Sequence, residues 1–280
     1  MTSAERPAVS GRMYHVMLGP GDIPPYVLLP GDPARVDEIA ASWDTAEIVQ
    51  FHREFKSARG TYRGAPVAAV STGIGGPSTA IAVEELAAIG AHTLIRVGTT
   101  GAIQGDIEPG TLVIATGAVR MDGASSDYAP EQFPAHASPE VVLALVEAAK
   151  RLGARYRVGV VASTATFHLG QSRPGIRGYT WSGVEKRIDD LRRMGVLSFE
   201  MEAATIFTLS QIYRLRSGCV CAVIANRVTG EFRPGQGVDT AIRVANEALR
   251  ILYELDKLRG DKMETPTISE LAEAVRRAFS

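Results

Sequence analysis

Residues 66–89 read PVAAVSTGIGGPSTAIAVEELAAI, and the reading of this stretch decides the fold. The apolar run up to Thr72 is continuous rather than alternating, which is the pattern of a strand covered on both faces. From Ser78 to Ile89, apolar residues recur with polar ones in a helix-like pattern. Gly73, Gly75, Gly76 and Pro77 form the junction. Two readings fit such a junction. It is a place of close backbone packing, or a cradle whose free N–H groups and helix N-terminus meet an anion or a sugar.

The same alternation continues in both directions. Apolar runs recur at 26–29, 93–98, 111–119, 156–164 and 219–226, and helix-like stretches cover 139–152, 184–194, 202–214 and 238–258. Strands alternating with helices predict an α/β fold, a single domain whose central, mostly parallel or mixed twisted sheet is flanked by helices. The 280 residues, 45% of them apolar, suffice for one large core. The domain is expected over 1–260, with 261–280 as a short C-terminal amphipathic helical extension. There Thr267 and Glu270 form a capping box ahead of Leu271, Ala272, Val275 and Phe279 on one face. That face either packs on its own domain or docks a partner.

A net charge of −1 offers no basic field for nucleic acid. No apolar stretch approaches the about 18 residues of a membrane span, and MTSAERPAVSGRM (1–13) lacks the apolar segment of a secretion signal, so a cytoplasmic protein is expected. Cys219 and Cys221 share one face of a strand and read as buried free thiols rather than a disulfide or zinc site. Two familiar Gly-rich motifs are absent. The dinucleotide fingerprint counted from Gly73 needs a glycine where Ser78 stands, and no Gly-Lys-Ser/Thr occurs anywhere.

In an open α/β sheet, ligands bind at the carboxyl ends of the strands. Those ends carry PGDPARV (30–36), RVGTTGAIQ (96–104), TATFHLGQSR (164–173) and NRVTGEF (226–232). Arg35, Arg96, Arg173 and Arg227 are thus aimed at one crevice, where they repel one another unless an acceptor-rich ligand is present.

PGDPARV, RVGTTGAIQ and FHLGQSR (167–173), together with STGIGGPSTAIAVEEL (71–86), FHREF (51–55), FEMEAAT (199–205) and ANR (225–227), resemble the nucleoside phosphorylase family, in its pyrimidine-cleaving branch, from about His15 to Leu258. The resemblance implies phosphorolysis of uridine, with deoxyuridine and thymidine as further candidates, to free base and α-D-ribose 1-phosphate with inversion at C1′. It implies inorganic phosphate as co-substrate, no organic cofactor, and a homo-oligomer built of dimers, a hexamer being the expected assembly.

Carried over residue by residue, the resemblance puts phosphate on Gly31, Arg35, Arg96 and Thr99, with Arg53 supplied by a neighbouring subunit. An arginine fork matches phosphate oxygens, which gives the assignment its chemistry. Ribose falls to Thr99, Glu200, Met201 and Glu202, and to His15 across a dimer interface. Glu200 and Glu202 also suit an ordinary acidic helix start. The base falls to Thr100, Gly101, Phe167, Gln171, Arg173 and Arg227; an amide and a guanidinium together satisfy the two carbonyls and one N–H of uracil. Glu54, Ile74 and Ser78 match an inter-subunit monovalent cation site, for potassium.

Two segments depart from the family pattern: PGIRGYTW (174–181), beside the base site, and GEFRPGQG (230–237), a candidate lid. Three alternatives stand beside the main reading. A purine phosphorylase of the same fold is expected to carry an Asp where Asn226 and Arg227 stand. A nucleosidase using water has no need of Arg35, Arg53 and Arg96. A non-catalytic nucleoside-binding module is hinted at by the C-terminal helix alone.

Overall fold

The computed structural model describes residues 4–5, 7–260 and 265–279. The chain contributes strands β1 (Ala8–Val9), β2 (Arg12–Met13), β3 (Tyr26–Leu29), β4 (Thr45–His52), β5 (Phe55–Tyr62) and β6 (Ala65–Val70). They are followed by β7 (Thr93–Ala102), β8 (Leu112–Met121), β9 (Ala135–His136), β10 (Tyr156–Thr164), β11 (Ser198–Glu200) and β12 (Arg216–Asn226). The helices are α1 (Ala34–Ala40), α2 (Gly76–Ala88), α3 (Ala124–Tyr128), α4 (Pro139–Arg151), α5 (Arg187–Arg193), α6 (Ala203–Ile212), α7 (Val238–Arg259) and α8 (Ile268–Phe279).

One mixed sheet runs β11-β10-β8-β12-β7-β3-β6-β5-β4, with β9 on β8. The interior pairs β3–β6, β3–β7, β7–β12 and β8–β10 are parallel. β11 bonds both β10 and β7, so β11, β10, β8, β12 and β7 close into a small ring from which β3, β6, β5 and β4 extend as an open arm. Closure explains why β7 runs to Ala102. Its last residues, Gly101 and Ala102, pair with Phe199 and Ser198, which turns RVGTTGA from a loop into strand.

Helices cover both faces. α2 and α6 bury Val83, Leu86, Ile206 and Phe207 on one side; α1, α4, α7 and α8 bury Ile39, Leu145, Leu249 and Ala278 on the other. Parallel strands covered in this way read as continuous apolar runs, and these are the strands visible in the sequence. Strand β4, at the edge, is the exception. Most of its residues are exposed, so TAEIVQFH shows no buried face.

The junction at 72–78 serves close packing first. A Cβ on Gly76 would stand 2.8 Å from both Ala124 Cβ and Thr205 Oγ1, so glycine there lets α2 approach α3 and α6. The capping box of α8 is formed, with Glu270 N donating to Thr267 Oγ1 (3.2 Å) and Thr267 N to Glu270 Oε2 (2.8 Å). The helix turns Ala274, Val275 and Ala278 into the α4/α7 core; Ala272 is exposed and lies off that face. Arg151 stacks on Phe279, 4.6 Å from the ring centre. Most of the linker before it, 261–264, lies outside the described residues, and with it the expected domain boundary after 260.

Cys219 and Cys221 are buried and free, their sulfurs 3.6 Å apart. Mutual hydrogen bonding and burial push the Cys219 thiol well above its ordinary range. Among the described residues no helix is long and apolar enough to cross a membrane, and no group of three or more His, Cys, Asp or Glu is arranged to hold a metal.

Candidate active site

A cleft of about 480 Å³ opens at the carboxyl ends of β3 and β7, bounded by the start of α6 and the segment after β10. Gly31, Arg35, Ile74, Arg96, Thr99, Thr100, Gly101, Phe167, Gln171, Arg173, Glu200, Met201 and Glu202 line it, as do Asp32, Gly98, Phe199, Ile224, Ala225 and Phe232. Strand ends built from distant parts of the sequence converge here because the sheet's parallel strands all finish on one side.

Arg96 forms the floor, buried between two carboxylates. Its Nε lies 2.9 Å from Glu200 Oε2 and its Nη2 2.5 Å from Glu202 Oε2. The Nε–H is not aimed at the Glu200 oxygen, so this contact is ionic without being a hydrogen bond. Arg35 Nε is likewise buried without an acceptor, and Glu38 stands 3.7 Å from it. Both arginines line the cleft, two cations set beside buried carboxylates. Burial lowers the affinity of Arg96 for its proton, but the carboxylates of Glu202 and Glu200 outweigh it and hold the cation firmly charged. Glu202 is raised above the ordinary glutamate range by burial, with Arg96 opposing and Glu200 adding like charge.

The glycine junction has a second role at this point. Gly75 N donates to Glu202 Oε1 at 2.6 Å and fixes the carboxylate at the cleft wall. Glu200 is used differently from Glu202. Ser163 Oγ donates to its Oε1, and the amides of Glu202 and Ala203 donate to its Oε2 at 2.8 and 2.9 Å, which ties the start of α6 to β10. With Arg96 against the same Oε2, both Glu200 oxygens are engaged within the protein.

At the other end of the cleft, Arg173 Nη1 donates to Gln171 Oε1 at 2.6 Å and to Phe167 O at 2.7 Å. The guanidinium stacks on the Phe167 ring 3.9 Å from its centre. Burial and the charge of Arg227 push Arg173 down to about 10, so it stays charged at neutral pH but is short of negative charge. Arg227 does not line the cleft; it stands behind it and donates to Gln171 O at 2.8 Å. Asn226 is wholly structural. Its Nδ2 donates to Gln104 O and Ile107 O, both at 2.9 Å, and its Oδ1 accepts from the amides of Val228 and Thr229.

His15 and Arg53 lie outside the cleft but beside each other: His52 Nδ1 contacts His15 O at 2.9 Å, and Arg53 Nη2 is 3.5 Å from Tyr14 Oη. Glu85 accepts from the His15 and Val16 amides and meets His15 Nδ1 at 2.7 Å. Arg53 occupies the two-residue turn between β4 and β5 at φ +54°, a strained region for a non-glycine residue. Glu54 and Ser78 flank the Gly73 turn, where an added Cβ would stand 2.9 Å from Glu54 Cγ and 3.0 Å from Ser78 Oγ; Ile74 projects next to them, 77% exposed.

Of the two unusual segments, 174–181 stays out of the lining and exposes Ile176, Tyr179 and Trp181. The other supplies Phe232, held by a bridge to Ala225 and by Arg233 N donating to Ile224 O. Sequence reading passed over Ser163, Thr164 and Phe232. The two hydroxyl residues end the β10 run and could have been suspected from that position; Phe232 had only its place in a polar loop.

A mixed sheet with helices on both faces, carrying arginines beside buried carboxylates at its strand ends, defines a class that the comparisons identify. A family model described as the phosphorylase superfamily matches residues 25–255, and the chain belongs to that superfamily. Within it, the chain is 57% identical to a uridine phosphorylase of Thermococcus kodakarensis over 91% of its own length and 92% of the relative's. It is 44% identical to a uridine phosphorylase of Escherichia coli, covering 86% of this chain and 96% of that one. A guanosine phosphorylase of Halorubrum lacusprofundi is 38% identical over 77% of this chain and 84% of its own.

Proposed function

We infer that this enzyme cleaves uridine with inorganic phosphate, giving uracil and α-D-ribose 1-phosphate. The observation that carries the reading is the convergence of Arg35 and Arg96 with Glu202 and the Gln171–Arg173 pair on one cleft. Relatives matched over more than nine-tenths of their own length and named uridine phosphorylases support the choice of nucleoside.

Phosphate would rest on the Gly31 backbone, Arg35, Arg96 and Thr99; ribose on Thr99, Met201 and Glu202, whose carboxylate accepts from the 2′- and 3′-hydroxyls. Glu200, engaged on all sides, would hold Arg96 rather than touch the sugar. The base would lie against Thr100, Gly101 and Phe167, read by Gln171 and Arg173, with Arg227 steadying Gln171. A phosphate oxygen attacks C1′ opposite the base as the C1′–N1 bond breaks. The bonding pair leaves with the base, spreads over its carbonyl oxygens facing Arg173, and is quenched by a proton from water. Catalysis is positioning and electrostatics, with no nucleophilic side chain.

His15 and Arg53, adjacent to each other and outside their own cleft, would complete the ribose and phosphate sites of a neighbouring subunit, in a homo-oligomer of dimers such as a hexamer. Glu54, Ile74 and Ser78, gathered at the Gly73 turn, would meet a potassium ion at such an interface. The absence of a membrane-spanning helix among the described residues fits a cytoplasmic enzyme.

A second reading, a purine phosphorylase, is favoured by the guanosine phosphorylase relative. Against it, Asn226 spends both ends of its amide on the backbone and offers no proton to a purine ring. Incubation of the pure protein with uridine, thymidine, inosine, guanosine and adenosine, with and without phosphate, separates the readings. Phosphate-dependent release of uracil is expected, and purine release at an equal rate overturns the assignment.

A further inference from the structure

Gln171 is 3% exposed and Thr164 fully buried, so the polar atoms between them are satisfied by protein or by a ligand. An arginine can only donate, and Arg173 Nη1 sits 2.6 Å from one end of the Gln171 amide. That end is therefore the oxygen. The nitrogen points the other way and donates to Thr164 Oγ1 at 3.1 Å. Thr164 must then accept, and its own proton is directed to the carbonyl of Thr166 at 3.3 Å or of Glu200 at 3.5 Å. What the amide keeps for a ligand is one N–H and one lone pair of Oε1, next to the remaining N–H groups of Arg173. Read along the edge, this is donor, acceptor, donor. Uracil presents the complement, an N–H between two carbonyls, whereas cytosine presents acceptor, acceptor, donor and mismatches at two of three places.

The geometry points to Thr164 as a positioning residue for base recognition, one that anchors the Gln171 amide in the sense that reads an N–H flanked by two carbonyls. This rests on the pyrimidine reading given above. Without the hydroxyl, the Nε2–H that it accepts has no partner in a site closed to water, and the amide turns away to find one. Thr164 touches no substrate atom in this scheme and acts only through Gln171.

The test is a double-mutant cycle on the full-length enzyme, using kcat/KM for uridine and KM for phosphate. Thr164→Val is expected to lower kcat/KM for uridine on the order of tenfold or more, the size of effect that follows when a buried donor loses its acceptor, with KM for phosphate unchanged. Thr164→Ser should recover most of the loss. In a Gln171→Ala background, Thr164→Val should cost nothing further, because the residue it positions is gone. An equal loss in both backgrounds, a parallel rise in KM for phosphate, or failure of Ser to rescue overturns the proposal in favour of a packing role. Thr164→Ala carries the same comparison if the Val variant does not fold, and misfolding of both likewise overturns it. A wild type that cleaves guanosine instead of uridine removes the pyrimidine reading by itself. The same cycle run on guanosine then asks whether Thr164 acts through Gln171, and additivity there overturns that role too.

Discussion

Gly98 shows how a single missing side chain shapes the Arg96 end of the cleft, where we propose that phosphate binds. A Cβ there would stand 2.8 Å from Arg96 Cζ and Nη2 and 3.0 Å from Cys221 Sγ, and Arg96 is pinned on its other side by Glu200 and Glu202. Gly98→Ala is therefore expected to displace the guanidinium, raising KM for phosphate on the order of tenfold, while overpacking costs about 1–3 kcal/mol of stability. Phosphate saturation curves and a thermal melt check both; unchanged phosphate kinetics would show that the thiol side gave way instead. Glu202 makes a pH prediction at the same scale. Its carboxyl is raised by burial, so the folded protein holds that proton more tightly than the unfolded chain. The group's contribution to stability is then full below the unfolded pKa and lost as pH rises through the folded one. Under the proposed ribose contact, activity runs the other way, because two ribose hydroxyls need an ionised acceptor. In a pH profile, kcat/KM for uridine should fall on the acid side at a pH above the ordinary glutamate range. Glu202→Gln should be slow throughout and lack that limb.

Among the elements, α8 tests whether the C-terminal extension belongs to the enzyme's chemistry or only to its stability. It places Ala274, Val275 and Ala278 in the core shared with α4 and α7, and no residue of these three helices lines the cleft. Truncation after Gly260 should therefore lower stability on the order of 3 kcal/mol, from lost apolar burial, and Tm by about 5–10 °C. Below the melt, kcat for uridine should stay within about twofold, since no site contact is removed. A large loss of kcat at full folding, read by activity alongside circular dichroism, would give the helix a role at the site. The junction before α2 joins two duties in one turn. Gly76 admits the neighbouring helices, and Gly75 holds Glu202, so close packing and ligand geometry are coupled there.

For the whole molecule, the question is whether one chain is a complete enzyme. His15 and Arg53 sit together on a surface apart from their own cleft, the latter at a strained turn whose upkeep needs a reason. If each serves a neighbour, Arg53→Ala and Glu202→Ala break opposite halves of a shared site. Mixing the two inactive variants under conditions of subunit exchange should restore about a quarter of wild-type activity if the shared sites assort at random across dimers, since both defects then meet in some sites and neither in others. Sedimentation establishes the assembly, and confirmed exchange with no recovered activity would make the site self-contained.

The sequence by itself determined the α/β class, the strands buried on both faces, and the cluster of arginines at the strand ends. Each of these is written in local pattern: continuous apolar runs, helical spacing, and the residues that follow them. The capping box of α8 was legible for the same reason, because its two hydrogen bonds span three residues. Tertiary structure alone decided what lies between distant segments. The edge strand β4 has no buried stripe to announce it, and the closure of the sheet through β11 depends on three residues pairing with two strands remote in sequence. The division of labour between Glu200 and Glu202, two positions apart in FEMEAAT, follows from which of them meets Ser163 and the first amides of α6 and which meets Gly75. Composition cannot separate two glutamates on one short segment; their partners, contributed by β10 and by the turn before α2, do so because a buried carboxylate takes its role from the donors that surround it.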